Sequence, residues 1–137
     1  MRFYLDSAIW RDLHENRNDN FRPLGEWAFE FLRNVRQNKS LVLYSEIVVK
    51  ELLIAYDYKT IAELFKNLSE DNLLVEVAVS PAQLKEASLL RKKFQVPLRD
   101  ALHAVLARDN NAVLIARDRH FEALSLLVRV NKPEDLI

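Results

Sequence analysis

Four acidic residues that lie far apart in the sequence are the clearest candidates for catalysis in this chain. Asp6 follows the first predicted strand and Asp118 follows a later one, whereas Glu51 and Asp100 lie in predicted helices. Clustered carboxylates suit Mg²⁺ or Mn²⁺, because these hard cations prefer carboxylate oxygens and water. A cation held in this way lowers the pKa of its water and stabilises the charge that builds on a phosphoryl group. The four acids therefore predict a metal-dependent nuclease.

Glu51 is the acid whose position is hardest to explain without a function. Its neighbours one helical turn away are all apolar, namely Ile47, Val48, Ile54 and Ala55. Burying a carboxylate costs several kcal/mol unless it is paired or bound to metal. The structural alternative is a boundary residue whose carboxylate reaches water. Glu46 needs no such explanation, because the dipole of its helix stabilises an acid in the first turn.

The three aspartates each have a structural alternative as well. Asp6 and Asp118 are each followed by a predicted helix that they could cap, and Asp100 lies in the first turn of another. The joint arrangement carries the inference, with Asp6, Asp100 and Asp118 as direct ligands. Glu51 would bind the metal through water or orient the attacking water.

The elements that must position these acids follow from the alternation of strand-like and helix-like hydrophobic periods. Strands are predicted at 2–5, 41–44, 73–79 and 112–115, with a short last strand at 127–130. Ser7 is predicted to cap the first helix, and Pro23 opens the second. Further helices are predicted at 45–56, 59–68, 81–94, 98–108 and 121–127.

Strands separated by helices require crossover connections, which indicates an α/β fold with a mainly parallel sheet of four to five strands. Helices then cover both faces and make three layers. No linker interrupts the pattern, so residues 1–137 are expected to form a single domain. In such sheets the ligand site lies beyond the carboxyl ends of the strands, where Asp6 and Asp118 should project.

Composition excludes several classes of protein. The chain has no Cys, which excludes disulfides and thiolate metal sites and fits a reducing cytoplasm. Its single glycine, Gly25, excludes glycine-rich phosphate loops. The net charge is zero, so nucleic-acid binding would need a local patch. No apolar run is long enough to span a bilayer and no signal-peptide pattern opens the chain, so no membrane partner is expected.

Four blocks and the tail together resemble the PIN-domain nucleases, and within them the small prokaryotic members of the VapC toxin type. The blocks are Phe-Tyr-Leu-Asp-Ser-Ala at 3–8, Tyr-Ser-Glu-Ile-Val-Val-Lys-Glu-Leu at 44–52, Leu-Arg-Asp-Ala-Leu-His-Ala at 98–104 and Leu-Ile-Ala-Arg-Asp-Arg-His-Phe at 114–121, and the tail is 127–136. The resemblance covers the chain in order. It implies a parallel sheet flanked by helices, a Mg²⁺ or Mn²⁺ site and cleavage of RNA.

The same resemblance carries the acids of the family onto Asp6, Glu51, Asp100 and Asp118. It also implies a homodimer and an antitoxin partner, as in VapBC-type toxin–antitoxin pairs. One position departs from the pattern: where the family often has Thr or Ser two residues before the last Asp, this chain has Ala116. The missing hydroxyl puts activity and metal affinity in question, although it removes no ligand.

Other functions stay open at this stage. A metal-free ribonuclease would use two of His14, His103 and His120 as base and acid, but the spacing favours His103 as a residue near the site rim and His120 as a substrate-side or solvated one. A catalytically weak PIN-fold protein that binds RNA or protein is the main alternative. Haloacid-dehalogenase phosphatases and receiver domains fit less well, because Asp6 lacks the neighbouring acids that they need.

Basic and apolar residues give weaker predictions. Arg117 and Arg119 flank Asp118 and would meet phosphates, balance the charge of the site or be solvated. The run at 91–93 suits a helix C-terminus. Trp10 is expected to be buried rather than to stack on a base. The helices at 45–68 carry more apolar residues than one face buries, which predicts a dimer surface that includes Leu53 and Phe65. The alternative is that the two helices simply pack on each other.

Overall fold

Five short strands form one parallel sheet in the computed structural model, which describes residues 1–137. The strands are β1 Arg2–Leu5, β2 Leu41–Tyr44, β3 Leu74–Glu76, β4 Val113–Ile115 and β5 Val130–Asn131. Their order across the sheet is β3-β2-β1-β4-β5, and every pairing is parallel. The central strand β1 therefore lies between β2 and β4, with Tyr4 opposite Leu43 on one side and Leu114 on the other. The predicted parallel α/β sheet is confirmed.

Helices cover both faces of this sheet. They are α1 Ser7–Glu15, α2 Leu24–Gln37, α3 Glu46–Leu52, α4 Tyr58–Glu70, α5 Pro81–Phe94 and α6 Leu98–Asp109, with 3₁₀ helices at Arg119–Leu124 and Pro133–Leu136. Successive residues of a strand point to opposite faces. On β1 the ring of Phe3 contacts Phe31 of α2, and the next ring, Tyr4, contacts His103 of α6. Thus α2 and α6 lie on opposite faces, in the expected three layers.

The helix α6 is the most deeply buried of these elements. Every residue from Ala101 to Ala107 is buried, including His103. Small side chains at 101, 104 and 107 let the helix approach the sheet and α5 closely. Asp100, in the first turn of this helix, is thereby held against the carboxyl ends of the strands.

The one glycine is explained by a close contact between α1 and the start of α2. A Cβ atom at Gly25 would lie 2.4 Å from Cα of Asn16 and 2.7 Å from the carbonyl oxygen of Asp12. No side chain fits there without a shift of backbone. Gly25 therefore serves the packing of α2 against α1, as expected for a chain without a glycine-rich phosphate loop.

Several predicted boundaries were wrong. The helix predicted at 45–56 ends at Leu52, and hydrogen-bonded turns then lead to Asp57, which caps α4 by accepting from the Thr60 N–H. Ser7 is the first residue of α1 and Asp6 is its cap. The last strand lies at 130–131 instead of 127–130, and the helix predicted at 121–127 is the 3₁₀ helix Arg119–Leu124. The third strand, β3, lies within the range 73–79 where it was predicted.

The predicted dimer surface also needs correction. Phe65 is buried, with its ring 4.7 Å from that of Trp10 and 5.0 Å from that of Tyr44, and Leu53 packs partly against the core. Glutamate at position 65 would therefore disrupt the fold. The expected burial of Trp10 is confirmed. The apolar residues that do face solvent in this region are Ile54 and Tyr58, 76% and 72% exposed. None of the helices is both long and apolar enough to cross a membrane.

Candidate functional site

Two of the four acids leave neighbouring strands at the same edge of the sheet. Asp6 directly follows β1, and its backbone N–H donates to the carbonyl of Ile115, the last residue of β4, at 3.0 Å. Asp118 follows β4 three residues later and caps the 3₁₀ helix that begins at Arg119. Parallel pairing of β1 with β4 thus brings both acids to the carboxyl edge, where the sequence predicted them.

Asp6 is a buried carboxylate with a capping role. Its Oδ1 accepts from the Ser7 N–H at 2.9 Å, and the residue is only 6% exposed. The pKa of Asp6 is raised to about 6, chiefly by burial; His103 acts against this rise, and the nearby carboxylates of Glu51 and Asp100 add to it. The carboxylate is therefore held in a site that disfavours its charge until a cation is near.

Glu51 projects from α3 towards Asp6 and meets His103. Its Oε1 lies 2.5 Å from Nε2 of His103, and the same Nε2 lies 3.8 Å from Oδ1 of Asp6. Ligand atoms of all three residues lie within 4.8 Å of one another. The Glu51 side chain is 17% exposed, so it lines the inner wall of the site as the apolar neighbours predicted.

Asp100 and Asp118 form a second group around His120. Nδ1 of His120 lies 2.9 Å from Oδ2 of Asp100 and 3.0 Å from Oδ1 of Asp118, and the three ligand atoms lie within 4.8 Å of one another. Burial raises the pKa of Asp100, the charge of Asp118 adds to this, and His103 and His120 act against it. Asp118 itself is open to solvent, with 53% of its side chain exposed.

The two groups adjoin each other. The charge of Asp100 acts on Asp6, and the buried imidazole of His103 acts on both. The structure thus brings Asp6, Glu51, Asp100 and Asp118 to one edge of the sheet, with the first two inside and the last one at the mouth.

Capping and metal binding are compatible at this site. Asp6 and Asp118 each cap a helix through Oδ1 alone, which accepts from the N–H of Ser7 and of His120 respectively. The second oxygen of each carboxylate stays free. Asp100 has no capping role, because Pro97 is the N-cap of α6. Helix capping therefore accounts for one oxygen atom each of Asp6 and Asp118, and it does not explain why the four acids lie together.

The donor set fits a hard divalent cation. Four carboxylates supply oxygen ligands, two of them have raised pKa values from burial and mutual repulsion, and the mouth at Asp118 is open. The position of the missing family hydroxyl is occupied by buried Ala116, whose backbone N–H donates to the carbonyl of Asn131 at 3.0 Å. This methyl group contributes no ligand.

Sequence reasoning missed the residues behind Glu51. His103 was expected near the rim, yet it is fully buried, and Tyr4 and Ser45 contact each other behind it. One signal was available, since His103 lies three residues after Asp100 among small side chains, on the inner face of α6.

The basic residues around Asp118 divide into two kinds. Arg117 makes two bonds to Glu134, at 2.7 and 2.9 Å, and lies 3.8 Å from Asp12. Its charge is compensated within the fold by these two acids. Arg119 and Arg99 are exposed and form no ion pair. The run at 91–93 is exposed in the last turn of α5, as its sequence predicted.

Comparisons with known proteins agree with this architecture. The family model of the PIN domain matches residues 3–126. No curated protein sequence matches the chain. Three similar solved structures are the VapBC2 complex from Rickettsia felis bound to a DNA fragment from its promoter, a toxin–antitoxin complex from Klebsiella pneumoniae and FitAcB from Neisseria gonorrhoeae.

The similarity to these structures lies in the fold. The Rickettsia structure has a TM-score of 0.69 at 19% identity, over 96% of this chain and 98% of that chain. The Klebsiella structure has 0.67 at 18%, over 95% and 96%, and the Neisseria structure has 0.58 at 18%, over 96% and 97%.

Proposed function

Because the chain belongs to the PIN domain family, we propose that it is a Mg²⁺- or Mn²⁺-dependent endoribonuclease, and the toxin of a toxin–antitoxin pair. PIN domains are generally nucleases that use divalent metals. The observation that carries the proposal is the meeting of Asp6, Glu51, Asp100 and Asp118 at one sheet edge, in two adjoining groups. We further propose that residues 1–137 form one domain that acts in the cytoplasm.

Each acid has a distinct role in this proposal. Asp6, Asp100 and Asp118 would hold the metal, and Asp6 and Asp118 would use the oxygens that capping leaves free. Glu51 has one oxygen on His103, so it would bind the metal through water or orient the attacking water. A divalent cation would lower the pKa of its bound water and compensate the negative charge that builds on the phosphoryl oxygens.

The proposed substrate is RNA, which would approach at the open side of the site. Asp118 and His120 are about half exposed there, and Arg119 adjoins them in sequence. Arg99 lies next to Asp100 at the start of α6. These exposed guanidinium groups are free to bind phosphates, which is the local patch that a chain of zero net charge requires.

The geometry disfavours the metal-free histidine mechanism. Both ring nitrogens of His103 have partners inside the protein, and the ring is fully buried. His14 packs with its ring 4.8 Å from that of Tyr56. His120 is the remaining imidazole at the mouth, and one imidazole does not supply both the base and the acid of that mechanism.

An antitoxin partner is proposed from the fold neighbours together with an apolar groove. The Rickettsia and Klebsiella neighbours are complexes of a toxin with its antitoxin. In this chain a groove of about 370 Å³ runs between α1, α2 and α4, and its apolar lining is Leu13, Phe29, Leu32, Leu64 and Leu68. Phe29 is 56% exposed. An amphipathic segment of an antitoxin would cover this surface, and Ile54 and Tyr58 would contact a second copy of the chain.

The ends of the RNA products test the reaction. Metal-dependent attack by water should leave a 5′-phosphate and a 3′-hydroxyl, because the 2′-hydroxyl takes no part. A defined RNA would be incubated with the protein in Mn²⁺, in Mg²⁺ and in EDTA, and the ends identified by mass spectrometry. Cyclic 2′,3′-phosphate ends, or full activity in EDTA, would refute the proposal. No cleavage of any RNA in either metal would instead favour the binding-module alternative, for which Ala116 is the supporting feature.

A further inference from the structure

We propose that His103, seated by Tyr4 and Ser45, is a positioning residue that fixes the Glu51 carboxylate and leaves it one free oxygen for the site. The role assigned to Glu51 rests on the function proposed above. The hydrogen-bonded link itself is a property of the folded protein, and it can be measured separately.

The link is a continuous chain of three short hydrogen bonds. Oε1 of Glu51 lies 2.5 Å from Nε2 of His103, Nδ1 of His103 lies 2.7 Å from the Tyr4 hydroxyl, and that hydroxyl lies 2.7 Å from Oγ of Ser45. Tyr4, Ser45 and His103 are all fully buried. The chain joins β1, α6 and both ends of α3, because Ser45 directly precedes the helix that carries Glu51.

The direction of the bond to Glu51 does not depend on the charge of the imidazole. An ionised carboxylate only accepts, so Nε2 must carry a proton. If the ring is neutral, Nδ1 accepts from Tyr4, whose oxygen accepts from the Ser45 hydroxyl. If the ring is charged, Nδ1–H donates to Tyr4, whose hydroxyl donates to Ser45. Both hydroxyls rotate, so Nε2–H points at Glu51 in either case.

Two features indicate that this link is built for Glu51. Ser45 occupies the N-cap of α3, where a serine hydroxyl usually accepts from the helix, yet it makes no such bond and contacts Tyr4 instead. Burial raises the pKa of Tyr4 well above its usual range, so the phenol keeps its proton and remains a hydrogen-bond partner. Tyr4, supported by Ser45, therefore holds the imidazole of His103 at Nδ1, the nitrogen that faces away from Glu51.

The consequence for the site is a restricted carboxylate. With Oε1 held by His103, Oε2 is the oxygen of Glu51 that has no hydrogen-bond partner within the protein. The imidazole also lies between Glu51 and Asp6, with Nε2 3.8 Å from Oδ1 of Asp6. Partners behind a ligand commonly change metal affinity by about 10- to 100-fold when they are removed. Loss of His103 should therefore lower metal affinity mainly through Glu51, with a smaller part that acts through Asp6.

The test compares Tyr4→Phe and His103→Gln with Tyr44→Phe as the matched control. Tyr4→Phe removes one hydroxyl and keeps the ring, so it protects the test if His103→Gln does not fold. Tyr44 is a tyrosine on the neighbouring strand whose hydroxyl bonds to Glu76, on another part of the surface. Mn²⁺ affinity is measured by calorimetry without RNA, with each variant also made in a Glu51→Gln background.

We expect Tyr4→Phe to weaken Mn²⁺ binding about 3- to 10-fold and His103→Gln about 10- to 100-fold, and Tyr44→Phe to leave it unchanged. In the Glu51→Gln background the effect of Tyr4→Phe should disappear, and that of His103→Gln should shrink to the part that acts through Asp6. Unchanged affinity in His103→Gln, or equal losses in the Glu51→Gln background, would overturn the proposal.

Nuclear magnetic resonance of the metal-free protein tests the link without any metal. We expect a protected Nε2 proton on His103 that shifts in both Tyr4→Phe and Glu51→Gln. An unprotonated Nε2 would overturn the proposal even if Mn²⁺ binds. A protected Nε2 proton in a wild type that binds no Mn²⁺ would instead refute the metal-dependent function, and with it the assignment of this link to metal binding.

Discussion

Replacing Asp6 with Asn is expected to stabilise the metal-free protein at neutral pH, although it removes a proposed metal ligand. Asn is as good an N-cap residue as Asp, and its amide oxygen keeps the acceptor for the Ser7 N–H. The change removes only the buried negative charge, which the carboxylates of Glu51 and Asp100 repel. Stability and activity should therefore move in opposite directions.

The magnitude follows from the pKa of Asp6, which burial raises from 3.8 to about 6. A raised pKa means that the folded state binds the proton more tightly than the unfolded chain. This contribution to stability is fully present below about pH 4 and is lost as the pH rises through about 6. Above that pH the free energy of unfolding of the wild type is about 3 kcal/mol lower than that of a protein with a neutral side chain at position 6. This follows from about 1.36 kcal/mol for each pKa unit. For a chain of this length that is on the order of 10 °C in melting temperature.

Urea unfolding in EDTA at pH 4 and pH 8 would measure this difference. The expected result is equal stability of wild type and Asp6→Asn at pH 4, and a more stable variant at pH 8. Asp57→Asn is the matched control, because Asp57 also caps a helix but is exposed, and its pKa is lowered by the bonds from Thr60. An Asp6→Asn variant that is no more stable than wild type at pH 8 would refute the reasoning.

Three further results are expected. Mn²⁺ at 100 times Kd should stabilise the wild type by about 2.7 kcal/mol and so raise its melting temperature; equal effects of Mn²⁺ on wild type and Asp6→Asn would contradict this. Alanine at both Arg99 and Arg119 should weaken RNA binding and reduce the slope of log affinity against log salt by about 1.4; an unchanged slope would exclude these phosphate contacts. Ile54→Glu should convert a dimer to a monomer in sedimentation at micromolar concentration, whereas the exposed control Leu89→Glu should not, and a monomeric wild type would refute the dimer.

Features of the fold that depend on neighbouring residues were predicted well from the sequence. The helix α5 begins and ends where the sequence indicated: Pro81 is its first residue, after the N-cap Ser80, and Ser80 and Gln83 form a capping box. The edge position of Asp6 and Asp118 followed from strands that end directly before or shortly before each acid. These features depend on residues within a few positions of one another, which a single sequence displays.

Features that depend on remote partners were not predictable in the same way. His103 can be buried because its two ring nitrogens form hydrogen bonds with Tyr4 and Glu51, which lie 99 and 52 residues away in the sequence. Arg117 was equally consistent with phosphate binding until Glu134 was seen to neutralise it. Phe65 looked available for a dimer because its ring partner, Trp10, lies in a distant helix.

The measurement that tests the central claim most directly is RNA cleavage in Mn²⁺ by Asp6→Asn, Asp100→Asn and Asp118→Asn, each against wild type. If the acids form one metal site, each substitution should lower kcat by about a hundredfold or more, the scale of losing one partner of the transition-state charge. Glu46→Gln is the control, since Glu46 is an exposed acid in the first turn of α3, and it should keep the kcat of the wild type. Wild-type kcat in any of the three aspartate variants would contradict the claim.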